Sequence, residues 1–195
     1  MKKMAASLIA MVAMATSMYS HSQTKATPPP NSNPQWEAMG VVTFNADNLD
    51  KINKVPRPNN VDLNLARIVW GKEIAQNKDL PSFVLISSVN HNGTQYTFSI
   101  LSSATAPGCI PPANGKNVTD IYSVCPIRVS SVNSSNQAKQ GQFNGYCHVY
   151  PFAPEKAGDI NQVQFWFDKA NSVAYFRTIQ AGQLVPACNK SIHVK

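Results

Sequence analysis

The sequence predicts a mainly β domain: an antiparallel sandwich or curved sheet of about six or seven strands, with one helix over residues 61–76. Two hairpin patterns and an even set of cysteines behind an export-like leader carry that prediction. In the first hairpin, Ser82 to Val89 is a β-branched and apolar run. Asn90-His91-Asn92-Gly93 follows, and Asn-Gly favours a tight turn because both residues tolerate positive φ. Thr94 to Leu101 then sets Tyr96, Phe98 and Ile100 on one face and Gln95, Thr97 and Ser99 on the other. A period of two is that of a half-buried strand.

The second hairpin lies near the end. Val163, Phe165 and Phe167 alternate with Gln162, Gln164 and Trp166, and Asp168 to Ser172 supply the turn. Val173, Tyr175 and Ile179 return on one face, with Ala174, Phe176 and Thr178 on the other. Between the hairpins, 121–129 and 143–150 read as strands, and Pro126 confines the first to a sheet edge or a bulge. Residues 39–44 read as a first strand and 192–194 as a short last one. Residues 59–78 carry two patterns. Val61, Leu63 and Leu65 alternate as in a strand, while Asn60 can cap a helix running to Gln76. The helix is preferred, although Gly71 weakens it.

The leader reads as a cleavable signal peptide over 1–22. Lys2 and Lys3 precede an uncharged stretch from Met4 to Tyr19, and Ser20 and Ser22 flank His21 in a small-x-small pattern. That stretch has 16 residues, whereas a spanning helix needs roughly 20. No later stretch is apolar enough to span a bilayer, so no stable membrane span is expected after cleavage. Residues 23–35, with Pro28, Pro29, Pro30 and Pro34, read as an extended spacer. Residues 36–195 read as a single disulfide-bearing β domain, periplasmic or secreted.

Cys109, Cys125, Cys147 and Cys188 are an even number, as an oxidising compartment favours. Four cysteines allow three pairings. Cys109–Cys125 with Cys147–Cys188 is preferred, because the first would fix a loop holding Pro111, Pro112, Asn114 and Gly115 that packing could hardly order. No two cysteines have the close spacing of a zinc site, so neither a metal nor a cofactor is expected. Loss of Lys2 and Lys3 leaves 15 basic against 10 acidic residues, a net charge of +5. The cations are scattered singly, among them Arg67, Lys72, Arg128 and Arg177, unlike the clustered face of a nucleic-acid binder.

No catalytic signature occurs: no G-x-S-x-G, H-E-x-x-H, P-loop, G-x-G-x-x-G or C-x-x-C. His91 reads as a solvated turn residue. His148 adjoins Cys147 on a strand, where neighbours point to opposite faces, a poor geometry for a Cys–His pair. Asp47, Asp50, Asp159 and Asp168 select no acid–base pair. Asn92, Asn117, Asn133 and Asn189 open N-x-S/T sequons that an Asn- and Ser-rich chain produces by chance. The candidate binding residues are aromatic. Phe165 and Phe167 share one face, so Trp166 faces the other way, either against a second layer or, with Tyr146 or Tyr150, on an exposed aromatic surface.

These readings favour a non-enzyme: an exported binding or accessory protein recognising a protein or cell-envelope partner, an inhibitor being one form. A secreted hydrolase built on His148 and a carboxylate is the alternative. A surface-fibre subunit fits less well, because the polar, proline-rich start makes a poor donor strand. The leader makes one direct prediction: the exported chain starts at Gln23, which intact-mass measurement of the recovered protein will read as the loss of residues 1–22.

Overall fold

A computed structural model describes residues 27–30, 32–45, 60–76, 79–103, 108–110, 121–135, 137–149, 158 and 160–194. The expected signal peptide, Asp47, Asp50, Asp159 and Tyr150 lie outside them. The described chain forms two antiparallel sheets packed together, with one helix.

The first sheet has the order β2 (Gly40–Phe44), β3 (Ser82–His91), β4 (Thr94–Ser103), β5 (Ser123–Asn133) and β6 (Ala138–His148). The second, terminal sheet has the order β1 (Glu37–Ala38), β7 (Gln162–Asp168), β8 (Val173–Gln180) and β10 (Lys190–His193), with β9 (Gln183–Leu184) paired to β8. Ten strands stand where six or seven were expected. The two-residue β1 and β9 account for most of the excess, being too short to leave a period in the sequence. β1 and β2 run nearly continuously from one sheet to the other, and between them the Met39 N–H donates to the Val163 carbonyl (2.9 Å).

The Asn92-Gly93 turn has φ of +48° and +71°, so both residues adopt the left-handed conformation that the dipeptide favours. It sets His91 opposite Thr94, and the register then runs unbroken to Ser82 opposite Ser103. In the second hairpin the Asp168 carboxylate accepts from the backbone N–H of Ala170 (3.0 Å) and Asn171 (3.2 Å), shaping the turn. Pro126 sits where the β5–β6 register shifts between Cys125 and Ile127, so it occupies a bulge. Gly145, across the bulge, has φ of +85°.

The inner faces of the two sheets share one core. Phe98, Phe165 and Phe176 meet with centroid separations of 5.2–5.7 Å, and Tyr146 packs edge-on against Phe176 at 5.4 Å. Fully burying side chains of this size stabilises by about 2–3 kcal/mol each. A second cluster lies on the other face of the first sheet. There helix α1 (Asn60–Gln76) packs Ala66, Val69 and Trp70 on Val42, Val84, Ile86 and Leu101. The spacing 66, 69, 70 and 73 makes one helical stripe, which explains why the helix prevails over the alternation of residues 61–65. The Trp70 indole N–H donates to Ser99 Oγ (3.0 Å). Arg128 stacks over the Trp70 ring at 3.9 Å, donates to the Val69 carbonyl (2.7 Å) and pairs with Glu73, fastening the helix to the sheet.

Both disulfides are formed, Cys109–Cys125 and Cys147–Cys188, the preferred pairing. The first holds the segment bearing Ile110, which pairs with Val124 across backbone hydrogen bonds of 2.8 and 2.9 Å. The second ties β6 to the 3₁₀ turn Pro186–Cys188 beside β10, and so joins the two sheets. Sequence separations of 16 and 41 correspond to about 3 and about 4 kcal/mol of loop-closure stabilisation. Replacing Cys147 and Cys188 together by Ser should therefore lower stability more than replacing Cys109 and Cys125, as read by urea denaturation.

Candidate binding site on the terminal sheet

Alternation fixes what the outer face of the terminal sheet presents. With Phe165, Phe167 and Phe176 inside, their neighbours Trp166, Tyr175 and Arg177 point outward. Trp166 and Tyr175 are directly opposite in register and stack at 5.2 Å with an interplanar angle of 21°. On the other side, β1 pairs Glu37 with Phe165, which brings Trp36 alongside Trp166 at a centroid distance of 6.3 Å. Three aromatic rings from three adjacent strands or their extensions thus form a ladder. Trp36 and Trp166 stay half-buried, whereas Tyr175 is 8% exposed. Among the described residues Trp166 meets no second sheet; its ring neighbours are Trp36 and Tyr175.

Arg177 extends the ladder. Its guanidinium lies 4.2 Å over the Trp36 ring, and its Nε donates to Gln164 Oε1 (2.6 Å). Burial lowers its pKa from the ordinary arginine value. Beside it lies a groove of about 330 Å³ lined by Pro28, Pro30, Pro34, Trp36, Arg177, Leu184 and Asn189, among others. The proline-rich stretch expected as a spacer thus supplies one wall of the groove, through residues 27–30, Ser32 and Pro34. Ser32 steadies that wall by closing a turn onto the Pro29 carbonyl through its N–H (2.9 Å) and hydroxyl (2.6 Å).

Of the aromatic candidates, Trp166 belongs to the outer face. Tyr146 does not join it: the ring is in the core, 4% exposed, and its hydroxyl donates to the Ser191 carbonyl (3.2 Å). Burial pushes that hydroxyl well above the usual tyrosine pKa. Trp36, Arg177 and Asn189 were not singled out as site residues in the sequence. The register of β7 and β8 could have paired Arg177 with Gln164. Nothing in the sequence brings Trp36 to Trp166, because their approach depends on the two-residue pairing of β1 with β7.

The histidines are placed by packing. His91 departs from the expected solvated turn residue. Its Nε2 is 2.9 Å from Ser172 Oγ and its ring meets Phe167 edge-on at 5.2 Å, joining the tips of the two hairpins. His148 is 3% exposed, and its Nε2 has no hydrogen-bond partner among the described residues. Burial there lowers the imidazole pKa to about 4, against an opposing contribution from backbone hydrogen bonding at Phe83 and at His148 itself. A ring so enclosed does not meet substrate from solvent. Among the described residues no three His, Cys, Asp or Glu side chains are grouped to hold a metal ion.

The sign of the His148 effect follows from proton linkage. Below its ordinary pKa of 6.5 the unfolded chain binds a proton that the folded chain refuses until about pH 4. Stability should therefore fall by about 3 kcal/mol as pH drops from 6.5 to 4, with no contribution from this group at neutral pH. In denaturation series across that window, His148→Gln should remove this part of the slope. No family model matches the chain, and no curated protein sequence and no solved structure is similar to it.

Proposed function

We propose that the chain is an exported binding protein, periplasmic or secreted, that recognises a protein or cell-envelope partner through the outer face of the terminal sheet. The observation that carries this reading is the half-buried ladder of Trp36 and Trp166, backed by Tyr175. Tryptophan, tyrosine and arginine dominate the energetics of interfaces, because large rigid side chains desolvate much area at low entropic cost. Here all three types adjoin on one face, with Arg177 over Trp36. The two disulfides fit an oxidising compartment outside the cytoplasm.

The test is cross-linking of the tagged protein in its native host, with mass spectrometry of what copurifies. A partner is expected in near-stoichiometric amount. Trp166→Ala should weaken its capture by about thirtyfold, the scale of a hot-spot residue. The variant should keep its fold, since Trp166 lies outside the inner core. Repeated captures without a specific partner would overturn this reading.

A further inference from the structure

We propose that the groove beside Arg177 binds the free C-terminal carboxylate of a partner polypeptide whose last residue is apolar. This rests on the binding reading above and names the chemistry that the partner would present. Two independent observations lead to it, one for each half of such a ligand.

The first is the state of Arg177. Among the described residues its partners are the Gln164 carboxamide at Nε and the Trp36 ring, with no carboxylate. Burial is the cause that lowers its pKa. A guanidinium taken partly out of water without a counter-charge is costly, and an arriving anion offsets that cost. Gln164 and Trp36 hold the group in one orientation, and a planar guanidinium so held suits the two-pronged geometry of a carboxylate.

The second is Asn189, which lines the same groove. Its side-chain Oδ1 is shielded from water and has no hydrogen-bond partner among the described residues. A buried acceptor without a donor is a standing cost, which a turn of the carboxamide toward an N–H in the groove relieves. The terminal residue of a polypeptide has both parts: a carboxylate for Arg177 and a backbone N–H for Asn189.

The walls choose between two sources of carboxylate. Pro28, Pro30, Pro34 and Leu184 offer apolar surface, and the cation occupies a face of Trp36 that a sugar ring would need for stacking. An acidic sugar would set hydroxyls against the prolines and Leu184, with Thr27 and Ser32 as the hydroxyl-bearing residues of the wall. An apolar terminal side chain fits such walls. A volume of about 330 Å³ lies at the small end of ligand sites and suits one or two residues.

Two other parts of the molecule offer less to a ligand. The groove of about 550 Å³ between α1 and β6 contains Arg128, but that guanidinium is already taken by Glu73, Val69 and Gln142. The unpartnered Nε2 of His148 is enclosed in the core.

The test is titration of the folded, disulfide-bonded protein with acetyl-Ala-Leu bearing a free carboxylate. The same peptide as its C-terminal amide and free galacturonate serve as comparisons. Binding is read by the fluorescence of Trp36 and Trp166 and confirmed by calorimetry. The acid is expected to bind at least about tenfold more tightly than the amide, the scale of a lost charge-assisted hydrogen bond. Arg177→Gln should remove that preference, and Asn189→Ala should weaken the acid severalfold. Equal binding of acid and amide, or no binding of the acid, overturns the proposal. Binding of galacturonate in place of the peptide also overturns it and assigns the groove to acidic sugars. The acid–amide comparison needs no variant, so it decides the matter even if Arg177→Gln fails to fold. Partner capture that depends on Trp166 while acid and amide bind alike would remove this inference alone. Selective binding of the acid without any captured partner would remove the stable-partner reading alone.

Discussion

Phe98, Phe165, Phe176 and Tyr146 meet between the two sheets, and most of the architecture follows from keeping them together. At about 2–3 kcal/mol per buried ring, this cluster is comparable to the whole net stability of an ordinary domain. Its members come from β4, β6, β7 and β8, so it closes one sheet on the other. Since a strand has a period of two, burying Phe165 and Phe176 obliges Trp166, Tyr175 and Arg177 to face outward. The candidate site is in this sense the reverse side of the core.

The two outer faces have different fates. On the first sheet, Val42, Val84, Ile86 and Leu101 need cover, and α1 provides it with Ala66, Val69 and Trp70. Arg128 belongs to that cover. Burial works to raise the Glu73 pKa, but the hydrogen bond from Arg128, a backbone hydrogen bond at Glu73 and the charges of Arg128 and Lys72 together outweigh it and hold the carboxyl below its usual value. This cation is spent on structure. Among the described residues of the terminal sheet, the outward aromatics have no helix on them and Arg177 is accompanied by a carboxamide and a ring. Among the described residues, two arginines with similar stacking on tryptophan therefore differ in whether a protein carboxylate pairs with them.

The disulfides act at the same level of organisation. Cys147–Cys188 fixes the 3₁₀ turn ahead of β10, and Asn189 follows immediately, so the bridge helps to place a groove residue. The proline-rich wall opposite costs less to order than an average segment, because proline has little backbone freedom to lose. A groove with a stapled side and a stiff side is well suited to binding, since the cost of ordering is largely met by folding.

The sequence by itself determined the β class, the two hairpins with their turns and the placing of Trp166 on the face opposite Phe165 and Phe167; it preferred the helix over a competing strand pattern and left open whether the Trp166 face meets a second layer. Each depends on local periodicity or turn chemistry, and Asn92-Gly93 is the plainest case. The disulfide pairing was only a preference among three, and the folded chain shows the preferred one. Tertiary structure alone decided that Tyr146 belongs to the core, that His91 bridges two hairpin tips and that residues 27–30, Ser32 and Pro34 wall a groove. It also brought Trp36 to Trp166 and Asn189 to the groove of Arg177. The reason is physical. A period of two assigns a side chain to a face, but which strands and loops become neighbours depends on contacts between residues distant in sequence, as in the pairing of Glu37 with Phe165, and these leave no local pattern to read.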